Sequence, residues 1–136
     1  MNKKYFLISH NEFAFGLKKA LEMIVGKQDN LWAYGLMPGE HPDDIIAEIE
    51  SQLSDETEAV ILGDIAGGSV CNSAMRLTTM KNVVLITGVN LPLAMEIIIS
   101  QVTEEQAIDS LVERTRQSMK IVTVSPIQKE TDSDFF

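Results

Sequence analysis

The chain has 136 residues, 45% of them hydrophobic, and a formal charge of -9, which suits one domain with a real core. No apolar stretch reaches the ~20 residues needed to cross a bilayer. The acidic balance argues against nucleic-acid or anionic-membrane binding, which need a basic surface, and favours basic protein partners. The single cysteine, Cys71, leaves no internal disulfide framework and fits the cytoplasm. Lys3 and Lys4 are followed by no long apolar run ending in a cleavage site, so the start does not read as a signal peptide.

In chain order, residues 4–9 form a short apolar run that reads as a strand, with His10 immediately after it. Residues 14–26 read as a helix, because Leu17, Ala20, Leu21 and Ile24 recur at helical spacing before Gly26. Residues 31–36 are a second strand. Pro42-Asp43-Asp44 opens a second helix, since proline and acids suit a first turn; its apolar stripe is Ile45, Ile46, Ile49 and Leu53. Residues 59–63 are a third strand, running into Asp64. Ser69 is a plausible N-cap for a helix to about Thr79. Residues 83–87 are a fourth strand, and Pro92 opens a helix from Leu93 to about Val102. Thr103 with Gln106 makes a capping-box pattern for a further helix ending near Ser118. Residues 119–124, Met-Lys-Ile-Val-Thr-Val, read as a last strand.

Continuous apolar strands alternating with helices predict an α/β fold, a mostly parallel sheet covered on both faces. The expected organisation is one domain over residues 1–124 and a short acidic tail over 125–136.

The candidate chemistry gathers at two strand ends. Open α/β sheets place ligands outside the carboxyl ends of their strands, and His10 and Asp64 both stand there. Histidine can act as a neutral nucleophile near pH 7. Its second ring nitrogen then needs a fixed acceptor, best a carboxylate. Asp64 is either that acceptor or a cap of its own turn. Gly67-Gly68-Ser69 follows at a helix start, where backbone amides and a hydroxyl can meet an anion. The combination suits a phosphoryl group carried on histidine.

Other residues carry less. His41 reads as a solvated loop or helix cap beside Pro42. Cys71 reads as a small core residue. One cysteine and two histidines make no metal spacing, and no cofactor is implied. The lysine of a Walker A loop is absent, and Gly-Gly-Ser-Val-Cys is not the Gly-x-Ser-x-Gly of a hydrolase elbow.

Five pieces in order carry a resemblance: Ser9-His10 with Ala14-x-Gly16-Leu17, Glu22-Met23-Ile24-x-Gly26, Pro38-Gly39-Glu40, Asp64-x-x-Gly67-Gly68-Ser69-x-x-Asn72, and Gly88-Val89-Asn90-Leu91-Pro92. The chain resembles the EIIA domain of the mannose/fructose/sorbose family of the bacterial phosphoenolpyruvate-dependent sugar phosphotransferase system. That resemblance implies a three-layer α/β sandwich with a C-terminal antiparallel edge strand. It implies that His10 accepts phosphate from HPr and passes it to an EIIB component during sugar uptake. Asp64 would hold the imidazole, and Gly67, Gly68 and Ser69 would contact the phosphoryl group. It implies a homodimer exchanging residues 119–124, with the membrane components EIIC and EIID met only indirectly. The chain departs from the pattern at Asn11, Ile65-Ala66, Val70 and Cys71. The rival readings are the phosphotransfer subunit of a dihydroxyacetone kinase and a receiver-like regulatory domain; the latter needs a cluster of acids at the first strand's end, where Ser9-His10-Asn11 stand with only Glu12 nearby.

Overall fold

The structure, a computed structural model, describes residues 1–125. Four strands form one parallel sheet in the order β2-β1-β3-β4. They are β1 (Asn2–His10), β2 (Leu31–Leu36), β3 (Thr57–Gly63) and β4 (Val83–Ile86). The helices are α1 (Phe13–Val25), α2 (Pro42–Glu50), α3 (Ser69–Ala74), α4 (Leu91–Ser100) and α5 (Glu105–Thr115). A 3₁₀ turn over Met75–Thr79 extends α3, and another over Arg116–Ser118 ends α5.

The sheet is buried on both faces, which is why its central strands are apolar without alternation. Tyr5 and Leu7 of β1 pack with Leu17 and Leu21 of α1, Ile97 of α4 and Ile108 of α5. Phe6 and Ile8 face the other way, against Ile46 and Ile49 of α2 and Val70 and Leu77 around α3. Two helical layers thus sandwich the sheet.

The element ends differ from the sequence reading in informative ways. Ser69 is the first helical residue of α3, and Gly68 takes the N-cap position; the serine hydroxyl is thereby left for another partner. The Thr103 capping box does not form. The hydroxyl of Thr103 donates instead to Glu58 Oε1 of β3 at 2.9 Å, and Glu104 occupies the N-cap. Asn90 caps α4, its Oδ1 accepting the Leu93 N–H at 2.9 Å, so that helix begins two residues earlier than expected.

The expected C-terminal antiparallel strand is absent from the single chain. Residues 119–124 form no ladder with any of the four strands, and Ile121 is 93% exposed. A strand exists through the backbone it pairs with, and propensity alone does not supply that partner. The expected acidic tail lies outside the described residues from 126 onward.

Candidate functional site

The sheet order creates one topological crevice. From β1 the chain crosses by α1 to β2 on one side; from β3 it crosses by α3 to β4 on the other. The carboxyl ends of β1 and β3 therefore diverge above neighbouring strands, the position where open α/β sheets bind ligands. His10 ends β1 and Asp64 follows β3.

The two residues meet just beyond the end of their ladder, Asp64 one residue and His10 two residues past its last pair. The last β1–β3 pair is Ile8 with Gly63. Beyond it, Asp64 Oδ2 accepts the backbone N–H of His10 at 2.8 Å, and a side chain continues the ladder. The same oxygen lies 2.8 Å from His10 Nδ1. Oδ1 accepts the Ile65 N–H at 2.8 Å, with the Cys71 thiol 3.8 Å away as a long fourth donor.

These contacts determine protonation. Burial alone would raise the Asp64 pKa, but the hydrogen bonds from the His10 amide, the imidazole and the Ile65 amide outweigh it and hold the carboxyl below its usual range. An ionised carboxylate only accepts hydrogen bonds, so Nδ1 carries the ring proton and a neutral imidazole keeps its lone pair on Nε2. Nε2 faces the Ser69 hydroxyl at 3.5 Å. The His10 side chain is 47% exposed and Asp64 only 14%, so the imidazole is open to solvent while the carboxylate bonded to it is shielded.

The glycine-rich turn is held from inside. Gly67 adopts φ +80°, a left-handed conformation that favours glycine. Asn72 Nδ2 donates to its carbonyl at 3.2 Å. The Gly68 N–H donates to the Ile65 carbonyl at 3.3 Å, closing the turn. Ser69 projects toward His10.

The turn after His10 is equally constrained. Asn11 sits at φ +50°, a conformation asparagine tolerates better than most residues. Its N–H extends the β1–β2 ladder to the Leu36 carbonyl at 2.8 Å. Gly35 has no room for a Cβ, which would collide with the Asn11 carbonyl and with Phe15. Sequence reasoning passes over this glycine; its signal is a glycine within an apolar strand, which marks close approach of another backbone.

The remaining candidates separate cleanly. His41 caps α2, its Nδ1 accepting the Asp43 N–H at 3.1 Å. Pro38-Gly39-Glu40 turns after β2, with the Glu40 carboxylate accepting the Met37 N–H at 2.8 Å. Cys71 is buried in the core, as its position suggests, and burial pushes its thiol pKa up. Sequence reasoning misses its contact with Asp64.

The model of the EIIA-man family, described as the PTS system fructose IIA component, matches residues 4–116. The chain belongs to this family. It is 32% identical over 129 residues to the mannose-specific EIIAB component of Escherichia coli K12, covering 89% of this chain. It spans 40% of that relative's length. It is 33% identical over 98 residues to the sorbose-specific EIIA component of Klebsiella pneumoniae, covering 70% of this chain and 72% of that protein. Among solved structures, the PTS IIA protein associated with the fucose utilization operon of Streptococcus pneumoniae superposes with a TM-score of 0.76 at 30% identity. That superposition covers 89% of this chain and 93% of the other. Within the EIIA-man match lie His10, Asp64 and the Gly67-Gly68-Ser69 turn. No helix among the described residues is long and apolar enough to cross a membrane.

Proposed function

We infer that this chain is a phosphoryl carrier of a bacterial sugar phosphotransferase system, accepting phosphate from phospho-HPr on His10 and delivering it to an EIIB component. The observation that carries the reading is the pairing of His10 Nδ1 with Asp64 Oδ2 at 2.8 Å. It leaves Nε2 as the free nucleophile. Family membership supports the direction of transfer and the partners.

The step needs little covalent machinery. The Nε2 lone pair attacks phosphorus, a nitrogen–phosphorus bond forms, and the donor's bond to phosphorus breaks with its electron pair returning to the donor. Positive charge develops on the imidazole, and the Asp64 carboxylate, already bonded to Nδ1–H, stabilises it without moving a proton. Ser69, with its hydroxyl 3.5 Å from Nε2, is placed to donate to a phosphoryl oxygen. Gly67 shapes the turn, and Gly68 lets it approach the ring. Delivery to EIIB is the same step reversed, and membrane components EIIC and EIID are reached only through EIIB.

The working form is a homodimer. The segment 119–124 presents Met119, Ile121, Val122 and Val124 to solvent, beside a chain whose β4 is an open sheet edge. A groove of 760 Å³ runs along that edge, lined by Val84, Ile86, Ile108 and Val112 and equally by polar residues such as Glu105 and Asp109. A strand from a second copy would cover both liabilities.

The test is labelling with phosphoenolpyruvate, Enzyme I and HPr. Wild type and His41→Ala become labelled in an acid-labile, base-stable form, and His10→Ala does not. Full labelling of His10→Ala sinks the assignment.

A further inference from the structure

Helix α1 starts without the cap its sequence position calls for. Glu12 stands at the N-cap and its side chain makes no capping hydrogen bond. First-turn amides lack an intrahelical acceptor and must find one elsewhere. The Ala14 N–H finds Ser9, five residues back and on the far side of His10, whose Oγ accepts it at 2.8 Å. The Ser9 hydroxyl in turn donates to the Asn11 carbonyl at 3.4 Å. Ser9 has no solvent exposure, so both bonds form away from competing water.

The geometry points to Ser9 as a positioning residue for phosphoryl transfer: its hydroxyl ties the end of β1 to the start of α1 and so sets the aim of the His10 imidazole between Asp64 and Ser69. This rests on the reading of His10 as the phosphoacceptor. The physical argument is one of stiffness. His10 lies between Ser9 and Asn11, and Asn11 holds a left-handed conformation with its N–H bonded to Leu36 and its carbonyl bonded to the Ser9 hydroxyl. Without the hydroxyl, the Ala14 N–H is buried and unpaired. The turn then relaxes toward other conformations, carrying the imidazole with it. Small misplacements of a reacting group lower rates without abolishing binding. Ser9 never touches the phosphoryl group; it acts through the backbone on either side of the residue that does.

The experiment compares wild type, Ser9→Ala and Ser9→Thr in phosphoryl transfer from HPr, at a temperature where circular dichroism reports every variant folded. Threonine keeps the hydroxyl and suits a strand. Ser9→Ala is expected to lower the maximal transfer rate about twofold to tenfold, the scale of one lost neutral hydrogen bond, with little change in the HPr concentration at half-maximal rate. Ser9→Thr is expected to restore it. The ¹⁵N resonances of His10 Nδ1 and Nε2 should shift in Ser9→Ala and return in Ser9→Thr. A Ser9→Ala protein that melts earlier but transfers at the wild-type rate, with unshifted His10 resonances, makes Ser9 a helix cap alone and overturns the inference. A second measurement stands if Ser9→Ala does not fold. In wild type the Ala14 amide should exchange with solvent far more slowly than an uncapped first-turn amide, and rapid exchange overturns the inference as well. A wild type that takes no label from HPr overturns the phosphoacceptor reading itself, an outcome separate from any of these.

Discussion

Gly68 lies so close to the His10 imidazole that any side chain placed on it would have to push the ring aside. A Cβ on Gly68 would stand 2.8 Å from the imidazole Cε1 and 2.9 Å from Ile65 Cγ2. Gly68 has φ -73° and ψ 158°, an extended conformation open to any residue, so it is the contact and not the backbone that requires glycine. The turn therefore lies against the imidazole at its Cε1 atom.

Gly68→Ala is accordingly expected to fold normally and to transfer phosphate poorly. The exposed imidazole is the part that can move, and its displacement from Asp64 and Ser69 should slow phosphorylation by about tenfold to a hundredfold. Unchanged transfer kinetics would mean that Ile65 alone yields to the methyl group.

Asp64→Ala removes the acceptor from Nδ1–H and from the His10 amide together. One charge-assisted hydrogen bond contributes ~1.5–3 kcal/mol, so transfer should slow roughly tenfold to a hundredfold while circular dichroism stays that of the wild type. Stopped-flow or quench-flow transfer from phospho-HPr at the wild-type rate would reduce Asp64 to a turn cap.

The same carboxylate links stability to pH. Its folded pKa lies below its ordinary value of 3.8 because the His10 and Ile65 donors outweigh the effect of burial. A depressed carboxyl contributes stability that is fully present above the unfolded pKa and is lost as pH falls through the folded one. Urea unfolding of wild type and Asp64→Asn should therefore diverge above about pH 4, with wild type the more stable, and converge in stronger acid. A stability difference that stays constant across that range would show that ionisation of Asp64 contributes nothing to the fold.

The C-terminal segment offers a test of assembly. Deleting everything from Ser118 removes, among the described residues, four exposed apolar side chains, Met119, Ile121, Val122 and Val124, and any backbone pairing they supply to a second copy. The truncated protein should lose its dimer by light scattering at micromolar concentration, and the full chain should keep it. A monomeric full chain, or a truncated dimer as stable as the full one, would rule out strand exchange.

Much of this architecture is legible before any coordinates. The four strands and five helices follow from apolar runs and helical spacing, because local periodicity records which faces are buried. His10 and Asp64 stand out because each directly follows a strand signal. The ordered motifs from Ser9-His10 to Leu91-Pro92 identify the family, and no contact is needed to read them.

What the sequence could not decide depends on partners far away in the chain. The choice between Asp64 as turn cap and as imidazole partner depends on β1 and β3 being neighbours, which brings together His10 and Asp64, 54 residues apart in sequence. The sequence offers Gly68 as part of an anion-binding helix start, and only packing sets the imidazole against it; Ser9 reads as a strand residue, and only packing brings its hydroxyl to the Ala14 N–H. Thr103 had a capping signature that Glu58, on another element, overrode. Residues 119–124 have strand propensity and no strand, because a ladder needs a second backbone and this segment docks on neither edge of the sheet, β2 or β4. Local pattern determines what each segment can become; only packing, which sets distances between segments, decides which donors, acceptors and edges meet.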